Sequence, residues 1–336
     1  MTPAEETSVW LVLCSGPSRN TGAGHGKPGP VTSQLLDAFT SEFGQRATVV
    51  RSSGLVLGVE GGRLTLADTD GRPLSAPAVA YARLSTPRLS ADREVTLLRH
   101  LAAMGTRLLN PAEAVLASVN KFWQLQQLAA AGIPVPDTRT HTDAPLEQVP
   151  AIGLPAPYVV KAVRGHRGRR VFLAPDDAWL RAVAGSLDDR HPYLLQRYVA
   201  HSHGRDLRVL VVDGRAVAAV VRTAHDDRLV SNLAQGGTHT VCTGRYPDAE
   251  ALAVAAADTI GLGVAGVDLL FEADGSFSVC EVNGNPTWQP DMPGVAEAVA
   301  AACRSRLAAA DPVRGEPPYA AGEATPGSPS APSAGP

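Results

Sequence analysis

Asp268 and Glu281 are the two residues whose placement first suggests chemistry. They lie in VAGVDLLFEADGSFSVCEVNGNPTWQ, Val264 to Gln289, where two apolar runs flank Asp274-Gly275. That dipeptide favours a two-residue type I′ hairpin turn, because both central residues must take positive φ. Pairing about such a turn sets Phe271 opposite Ser278, Leu269 opposite Cys280 and Asp268 opposite Glu281. Strand alternation then puts Asn283 on the same face as Glu281. Two opposed carboxylates repel each other. In a dry place they need a partner or a shifted pKa. Two descriptions fit. One is a solvated acidic pair on an exposed sheet face. The other is a divalent-cation site in which Asp268, Glu281 and Asn283 offer hard oxygen ligands. Few protein ligands and open positions suit Mg²⁺ bridging a nucleotide's phosphates. The run around Asp268 reads as core, which bears on the choice.

Basic residues supply the complementary chemistry. Lys161 ends the apolar run Tyr158-Val159-Val160 and feeds a loop containing Arg164, Gly165, His166, Arg167, Gly168, Arg169 and Arg170. A lysine before such a loop can grip phosphate through its point charge, with glycines admitting backbone N–H groups. A basic surface turn reads the same way, and the Gly-Lys-Ser/Thr of a Walker loop is missing. Asp206-Leu207-Arg208 puts an acid and a base on one strand face. Arg222, Ser231 and Asn232, followed by Gly236-Gly237, form a polar excursion whose arginine can clamp a carboxylate or a phosphoryl group. Strict pairing around Asp213-Gly214 would turn Arg222 away from Asp206 and Arg208, so the three converge only if the strand bulges or twists. The histidines fall mostly in loops. Neither a His-Glu-x-x-His pair nor a Gly-x-Ser-x-Gly elbow is present.

The elements that must position these residues follow from periodicity and punctuation. Val9 to Leu13 reads as a buried strand. A Gly/Pro-rich loop from Gly16 to Pro30 follows, with Gly22, Gly24 and Gly26 in no phosphate-loop spacing, and then a helix around Thr32 to Phe43. Another helix runs from about Ala91 to Met104 and closes at Gly105. Ser118 offers an N-cap to a helix ending at Gly132. Strands are expected at Tyr158 to Lys161, Val171 to Leu173, Tyr193 to Val199, Leu207 to Val212 and Ala216 to Val221. Helices are expected from about Asp176 to Leu187, Asp248 to Ile260 and Val295 to Ala309. The chain of 336 residues, with a formal charge of −3, can hold two or three subdomains. That charge implies no general affinity for nucleic acid or an acidic membrane. Cys14, Cys242, Cys280 and Cys303 lack the spacing of a zinc or disulfide framework, and fit a reducing, cytoplasmic setting. No apolar run reaches membrane length. Residues 311–336 are nearly all Pro, Ala, Gly, Ser and Glu, a composition that favours disorder.

The order of these signals carries more than any one of them. Asn120-Lys121 precedes Gly132-Ile133-Pro134-Val135-Pro136, Val159-Val160-Lys161, Gly165, Gly168 and Gln196-Arg197-Tyr198-Val199. Then come Gly204-Arg205-Asp206-Leu207-Arg208, Arg222, Ser231-Asn232-Leu233, Gly236-Gly237, Ala265 to Leu270 and Glu281-Val282-Asn283-Gly284-Asn285-Pro286. From about Arg83 to Pro286 this resembles the RimK-like branch of the ATP-grasp ligases. The resemblance implies an α/β (α+β) fold of three subdomains with ATP held between two antiparallel-rich sheets. The corresponding ranges are 1–112 for a small α/β N-terminal domain, 113–195 for the central subdomain and 196–310 for the C-terminal one. A disordered tail would occupy 311–336.

The resemblance also implies roles. Lys121 and Lys161, with Gly165 and Gly168, match the grip on ATP phosphates. Gln196, Arg197, Tyr198 and Val199 match the hinge that reads adenine, and Asp206 matches the ribose contact. Arg208, Arg222 and Asn232 match groups near the transferred phosphoryl and the acyl phosphate. Asp268, Glu281 and Asn283 match the Mg²⁺ ligands, with Mn²⁺ a substitute. The implied reaction is ADP-forming amide synthesis between amino acids or onto a short peptide. Alternatives in the same superfamily are a peptide ester or amide macrocyclase and a non-catalytic ATP-binding regulator. The implied partners are small amino-acid or peptide substrates and a second copy in a homo-oligomer, with no nucleic acid or membrane. Three positions depart from the family pattern. Arg197 stands where Glu is usual, Arg170 where a further glycine is usual, and Gly284-Asn285-Pro286-Thr287-Trp288 replaces the usual residues after the last ligand. Trp288 is either a substrate-pocket wall or packing.

Overall fold

The structure is a computed structural model. It describes residues 8–14, 28–83, 93–149, 154–165, 170–187, 192–226, 228–231 and 236–309. Gly168, Asn232, Gly22, Gly24, Gly26 and the tail from 311 to 336 lie outside the described residues.

The N-terminal part contains β1 (Val9–Leu13), α1 (Pro30–Phe43), β2 (Ala47–Arg51), β3 (Leu55–Glu60), β4 (Arg63–Asp68), β5 (Val79–Arg83), α2 (Arg93–Ala103) and β6 (Arg107–Leu108). Its parallel sheet has the order β2-β1-β5-β6, and β3 with β4 forms a separate hairpin. β1 and β5 are apolar over nearly their whole length, as expected of parallel strands covered on both faces.

Two helices lead into the centre, α3 (Ala112–Ser118) and α4 (Lys121–Ala130). Ser118 does not cap α4. It is the last residue of α3, and its hydroxyl donates to the Val115 carbonyl at 2.8 Å. The cap is Asn120, whose Oδ1 accepts from the backbone N–H groups of Phe122 and Trp123. Gly132, at φ +75°, follows the helix end where a left-handed residue is needed. The central sheet then comprises β7 (Thr138–Thr140), β8 (Tyr158–Ala162), β9 (Val171–Ala174) and β10 (Tyr193–Arg197), with α5 (Asp177–Ala184) between β9 and β10. It is antiparallel, in the order β7-β10-β8-β9.

The C-terminal part consists of β11 (Arg205–Val212), β12 (Arg215–Thr223), β13 (Thr238–Val241), α6 (Pro247–Ile260), β14 (Val264–Phe271), β15 (Phe277–Asn283) and α7 (Val295–Ala308). Its five-stranded antiparallel sheet has the order β13-β12-β11-β14-β15. The short edge strand β13 falls in the polar stretch that the sequence left without an element.

Alternation along β11 divides this sheet. Leu207, Val209 and Val211 point into a core shared with Ala249, Ala253, Ala256 and Ala257 of α6. Leu210 and Val212 point the other way, into a core with α1, β1, β5, α7 and Trp288. Asp206 and Arg208 share that second face, beyond its apolar end. The same strand therefore seals the molecule along one half and presents charge along the other. Among the described residues no helix is long and apolar enough to cross a membrane.

Candidate active site

Two hairpins set the charged end of the sheet, and each contains a bulge. The turn between β14 and β15 is not the expected two-residue type. Glu272 N–H donates to Ser276 at 3.0 Å, Gly275 N–H donates to Glu272 at 3.2 Å, and Gly275 alone takes positive φ, +84°. This is a three-residue loop ending in a left-handed glycine. Phe271 therefore faces Phe277 and Leu269 faces Val279, one residue away from the expected partners Ser278 and Cys280. A bulge then takes up Cys280 as the extra residue, and Asp268 comes opposite Glu281 as expected.

The turn between β11 and β12 is the expected two-residue type, with Asp213 at φ +49° and Gly214 at φ +72°. A register shift between Leu210 and Val211 gives β12 one extra residue, which brings Arg222 directly opposite Asp206. The convergence of Asp206, Arg208 and Arg222 rests on that shift.

The resulting cluster is densely paired. Arg208 forks onto Asp268, Nε to Oδ1 at 2.7 Å and Nη2 to Oδ2 at 2.8 Å. Arg222 forks onto Asp206, Nε to Oδ1 at 2.8 Å and Nη2 to Oδ2 in a short contact, and its Nη2 also lies 3.0 Å from Asp268 Oδ2. Lys121, the first residue of α4, donates from Nζ to Glu281 Oε1 at 2.9 Å and to the Gly165 carbonyl at 3.1 Å. Lys161 on β8 reaches Cys280 Sγ at 3.7 Å. Burial alone would push the Asp268 carboxyl up, but the two guanidiniums outweigh it and hold the group at about 2. Burial pushes the Cys280 thiol up against the opposing pull of Lys161.

Four cations, Lys121, Lys161, Arg208 and Arg222, thus meet three carboxylates, Asp206, Asp268 and Glu281, at the mouth between the central and C-terminal sheets. The surplus positive charge favours an anionic ligand. The donor set fits a hard divalent cation: two opposed carboxylates, with the Asn283 amide on the same face. Asn283 Nδ2 contacts the Gly266 carbonyl at 3.4 Å, which turns its oxygen away from that strand. Among the described residues no three His, Cys, Asp or Glu side chains are grouped to hold a metal alone. A cation seated here would take further oxygen ligands from what it binds with.

The expected hinge residues lie at the end of β10. Gln196 is buried and donates to Thr138 Oγ1 at 2.9 Å. Arg197 donates to both carboxylate oxygens of Glu272, at 2.7 and 3.1 Å, which ties β10 to the β14–β15 turn. The Glu272 hydrogen bond pushes the Arg197 guanidinium up. Burial would raise Glu272, yet Arg197 and Ser278 hold it below the usual carboxylate range. Tyr198 pairs through its hydroxyl with His203 Nδ1 at 2.7 Å, and Val199 is buried.

Several residues at the site carry no sequence signal of their own. Gln124 accepts from Val282 N–H at 2.7 Å and donates to the Ser118 carbonyl, locking α4 against β15. Arg83, at the end of β5, donates to the Pro286 carbonyl at 2.5 Å and lies over the Trp288 ring at 5.7 Å. Trp288 is 4% exposed and donates to Gln34 Oε1 at 2.6 Å, so it is packing on one side and a wall for Arg83 on the other. His239, paired across the sheet with Arg222, contacts both oxygens of Asp291 at 2.9 and 3.0 Å. Apart from Trp288, which the sequence already singles out, only their three-dimensional neighbours distinguish these residues.

A model of the RimK-like ATP-grasp domain matches residues 118–293, more than half of the chain. The human beta-citrylglutamate synthase B is 42% identical over 234 residues, covering 69% of this chain and 60% of the relative. The mouse N-acetylaspartylglutamate synthase A is 41% identical over 231 residues, covering 68% and 60%. The chain therefore spans about 60% of the length of these curated relatives. Among solved structures, a RimK-domain ATP-grasp protein from Sphaerobacter thermophilus superposes with a TM-score of 0.61 at 21% identity, covering 88% of this chain and 99% of that one. That likeness concerns the fold.

Proposed function

Because this chain belongs to the RimK-like ATP-grasp family, we propose that it is an ATP-dependent carboxylate–amine ligase that releases ADP and phosphate. The observation that carries the reading is Asp268 opposite Glu281, with Arg208, Arg222 and Lys121 already bonded to them. ATP lies between the central and C-terminal sheets in this reading. Lys121 and Lys161, with the Gly165–Gly168 loop, receive the phosphates. The backbone of Gln196 to Val199 receives adenine, and Asp206 the ribose. Because the Arg197 side chain is committed to Glu272, adenine recognition there falls to main-chain groups.

Asp268, Glu281 and Asn283 would hold Mg²⁺, or Mn²⁺ in its place, which neutralises charge on the phosphate oxygens during transfer. The substrate carboxylate attacks the terminal phosphoryl group, forming an acyl phosphate and ADP. An amine then attacks the acyl carbon, phosphate leaves, and an amide remains. Arg208, Arg222 and Asn232 stabilise the transferring phosphoryl group and the tetrahedral oxyanion. Charge-assisted donors of this kind act by being held in place beforehand, and here Asp268 holds the Arg208 guanidinium and Asp206 holds that of Arg222. No side-chain nucleophile is required.

The relatives' names point to an acid joined to glutamate, so glutamate is the first amine to supply. The experiment is ADP release with ATP, Mg²⁺, glutamate and a panel of carboxylic acids, with product mass recorded. Acid-dependent ADP release and a product lighter by one water than the summed substrates are expected. Glu281→Gln should lower turnover by at least about 100-fold while the melting temperature stays near wild type. ATP binding with no acid-dependent turnover across the panel, or full activity in Glu281→Gln, would contradict the assignment.

A further inference from the structure

A row of charged side chains crosses the C-terminal sheet on the face that carries the candidate site. Residues directly opposed on neighbouring antiparallel strands share a face. Glu281 stands opposite Asp268, Asp268 opposite Arg208, Asp206 opposite Arg222, and Arg222 opposite His239 on the edge strand β13. The others enter the reading above, and His239 ends the row without a role. The rest of β13 is exposed, and His239 is its half-buried residue.

Its ring is held from beyond the sheet. Nε2 lies 2.9 and 3.0 Å from the two oxygens of Asp291, in the connection between β15 and α7. That connection is pinned, because Trp288 and Met292 are buried in the core and Met292 N–H donates to the Gln289 carbonyl at 3.0 Å. An ionised carboxylate only accepts hydrogen bonds, so Nε2 carries the proton of the neutral ring. Nδ1 is then its basic nitrogen. In the Ser-His-Asp arrangement, too, a carboxylate fixes the tautomer and orientation of an imidazole whose other nitrogen moves a proton. The His239 side chain is 23% exposed and that of Asp291 58%. An ion pair this open to water adds little to stability, whereas a group that exchanges protons with solvent needs such access. The ring is faced by Asp291 from the β15–α7 connection and by Arg222 from β12, with Asp206 and Asp268 beyond Arg222.

The ligase reading, on which this inference rests, leaves a proton to place. At neutral pH an amine arrives as an ammonium, whose nitrogen has no lone pair with which to attack. Arg222 serves the acyl phosphate in that reading, and His239 stands one strand away on the same face. We propose that His239 is the base that frees the attacking amine, and that Asp291 is its positioning residue. The ammonium gives one proton to Nδ1. The freed lone pair forms the C–N bond at the acyl carbon, and the bond from that carbon to the phosphate oxygen breaks. The surplus proton on nitrogen leaves with the phosphate, a neutral amide remains, and the imidazolium returns its proton to water. Phosphorylation of the acid moves no such proton, so His239 acts in the second half of the reaction alone.

The test sets two nucleophiles against one acyl phosphate. Hydroxylamine is largely unprotonated at pH 7 and traps acyl phosphates as hydroxamates, whereas glutamate arrives as the ammonium. Each is supplied to the full chain with ATP, Mg²⁺ and the acid of the panel that releases most ADP. Another amino acid replaces glutamate if it gives more amide. Wild type is compared with His239→Gln and Asp291→Asn, and melting temperatures report folding. His239→Gln should lower kcat for amide formation about 100-fold at pH 7, the usual size of a general-base contribution, while hydroxamate formation changes less than about threefold. The loss should shrink below about tenfold near pH 9.5, where solution supplies free amine. Asp291→Asn can donate to Nε2 and turn the tautomer, so amide formation should fall at least about tenfold with hydroxamate again spared. If His239→Gln does not fold, the same nucleophile-selective loss in Asp291→Asn decides the matter. Equal losses with both nucleophiles would make the pair a clamp on the edge strand and overturn the proposal. A loss below about threefold in amide formation, or a wild type that makes hydroxamate but no amide with any amino acid, would overturn it too. In each of these cases acid activation by ATP stands. If wild type releases no ADP with any acid, the ligase reading fails and His239 loses its role with it.

Discussion

At the scale of single residues, Asp268 answers most directly to measurement. Its carboxyl is buried between two guanidiniums and held at about 2, against an ordinary value of 3.8. The folded state therefore binds its proton less readily than the unfolded chain. The stabilisation this gives, about 2 kcal/mol, is fully present above about pH 4 and is lost as pH falls through about 2. Asp268→Asn removes it at neutral pH and also leaves Arg208 and Arg222 with less counter-charge. We expect the urea midpoint of Asp268→Asn to lie well below wild type at pH 7, and the gap to narrow between pH 4 and pH 2. A gap that stays constant over that range would mean the carboxyl titrates normally in the folded protein. The acid was legible in the sequence because an Asp inside Val264 to Phe271 conflicts with an apolar run. Its partners were not, because ion pairs between strands depend on register, and register depends on turns and bulges that the letters do not settle.

At the scale of elements, the hairpin from β14 to β15 shows how a sequence argument can reach the right pair by a partly wrong route. Asp274-Gly275 does form the turn, but as the end of a three-residue loop, which shifts the strands by one residue. The Cys280 bulge shifts them back, so Asp268 meets Glu281 although Leu269 and Phe271 have other partners than expected. In β11 and β12 a bulge resolves the opposite difficulty and delivers Arg222 to Asp206. Bulges have no composition signature, which is why element identities were readable and pairings only in part. Arg197 is a further case: the family resemblance implies that its backbone belongs to an adenine hinge, and its side chain bonds Glu272 in the β14–β15 turn. A double-mutant cycle with Arg197→Met and Glu272→Gln should give a coupling energy of about 1 kcal/mol, since the pair is forked and partly shielded from water. ATP affinity should change less than about threefold in Arg197→Met, because main-chain groups remain. A coupling energy of zero would remove the bridge, and a large loss of ATP affinity would place the side chain in the adenine site.

At the scale of the whole molecule, the chain is held by cores that do not follow its linear order. α7 packs beside α1, and one core joins Leu35, Phe39 and Val9 of the N-terminal part to Leu210, Val220, Val264 and Trp288 of the C-terminal part, with Val299 and Cys303 of α7 between them. The central sheet has a separate core, with Leu146, Tyr158, Leu180 and Leu195. The first and last thirds of the sequence should therefore open together, and the central sheet by itself. Phe39→Ala tests this because Phe39 is 1% exposed on α1, far in sequence from the C-terminal sheet. The substitution should cost about 3–5 kcal/mol of the shared core's stability. Under native conditions, amide exchange should then accelerate in β1, α1, β11, β12, β14 and α7, and stay near wild type in β8 and β10. Equal acceleration in β8 and β10 would mean the molecule opens as one cooperative unit. Acceleration confined to β1 and α1 would mean the core seen between the ends of the chain does not couple them. The division matters for the reaction proposed above, because it places Lys161 on one unit and Asp268 with Glu281 on the other. The nucleotide would lie between parts that can move apart without unfolding.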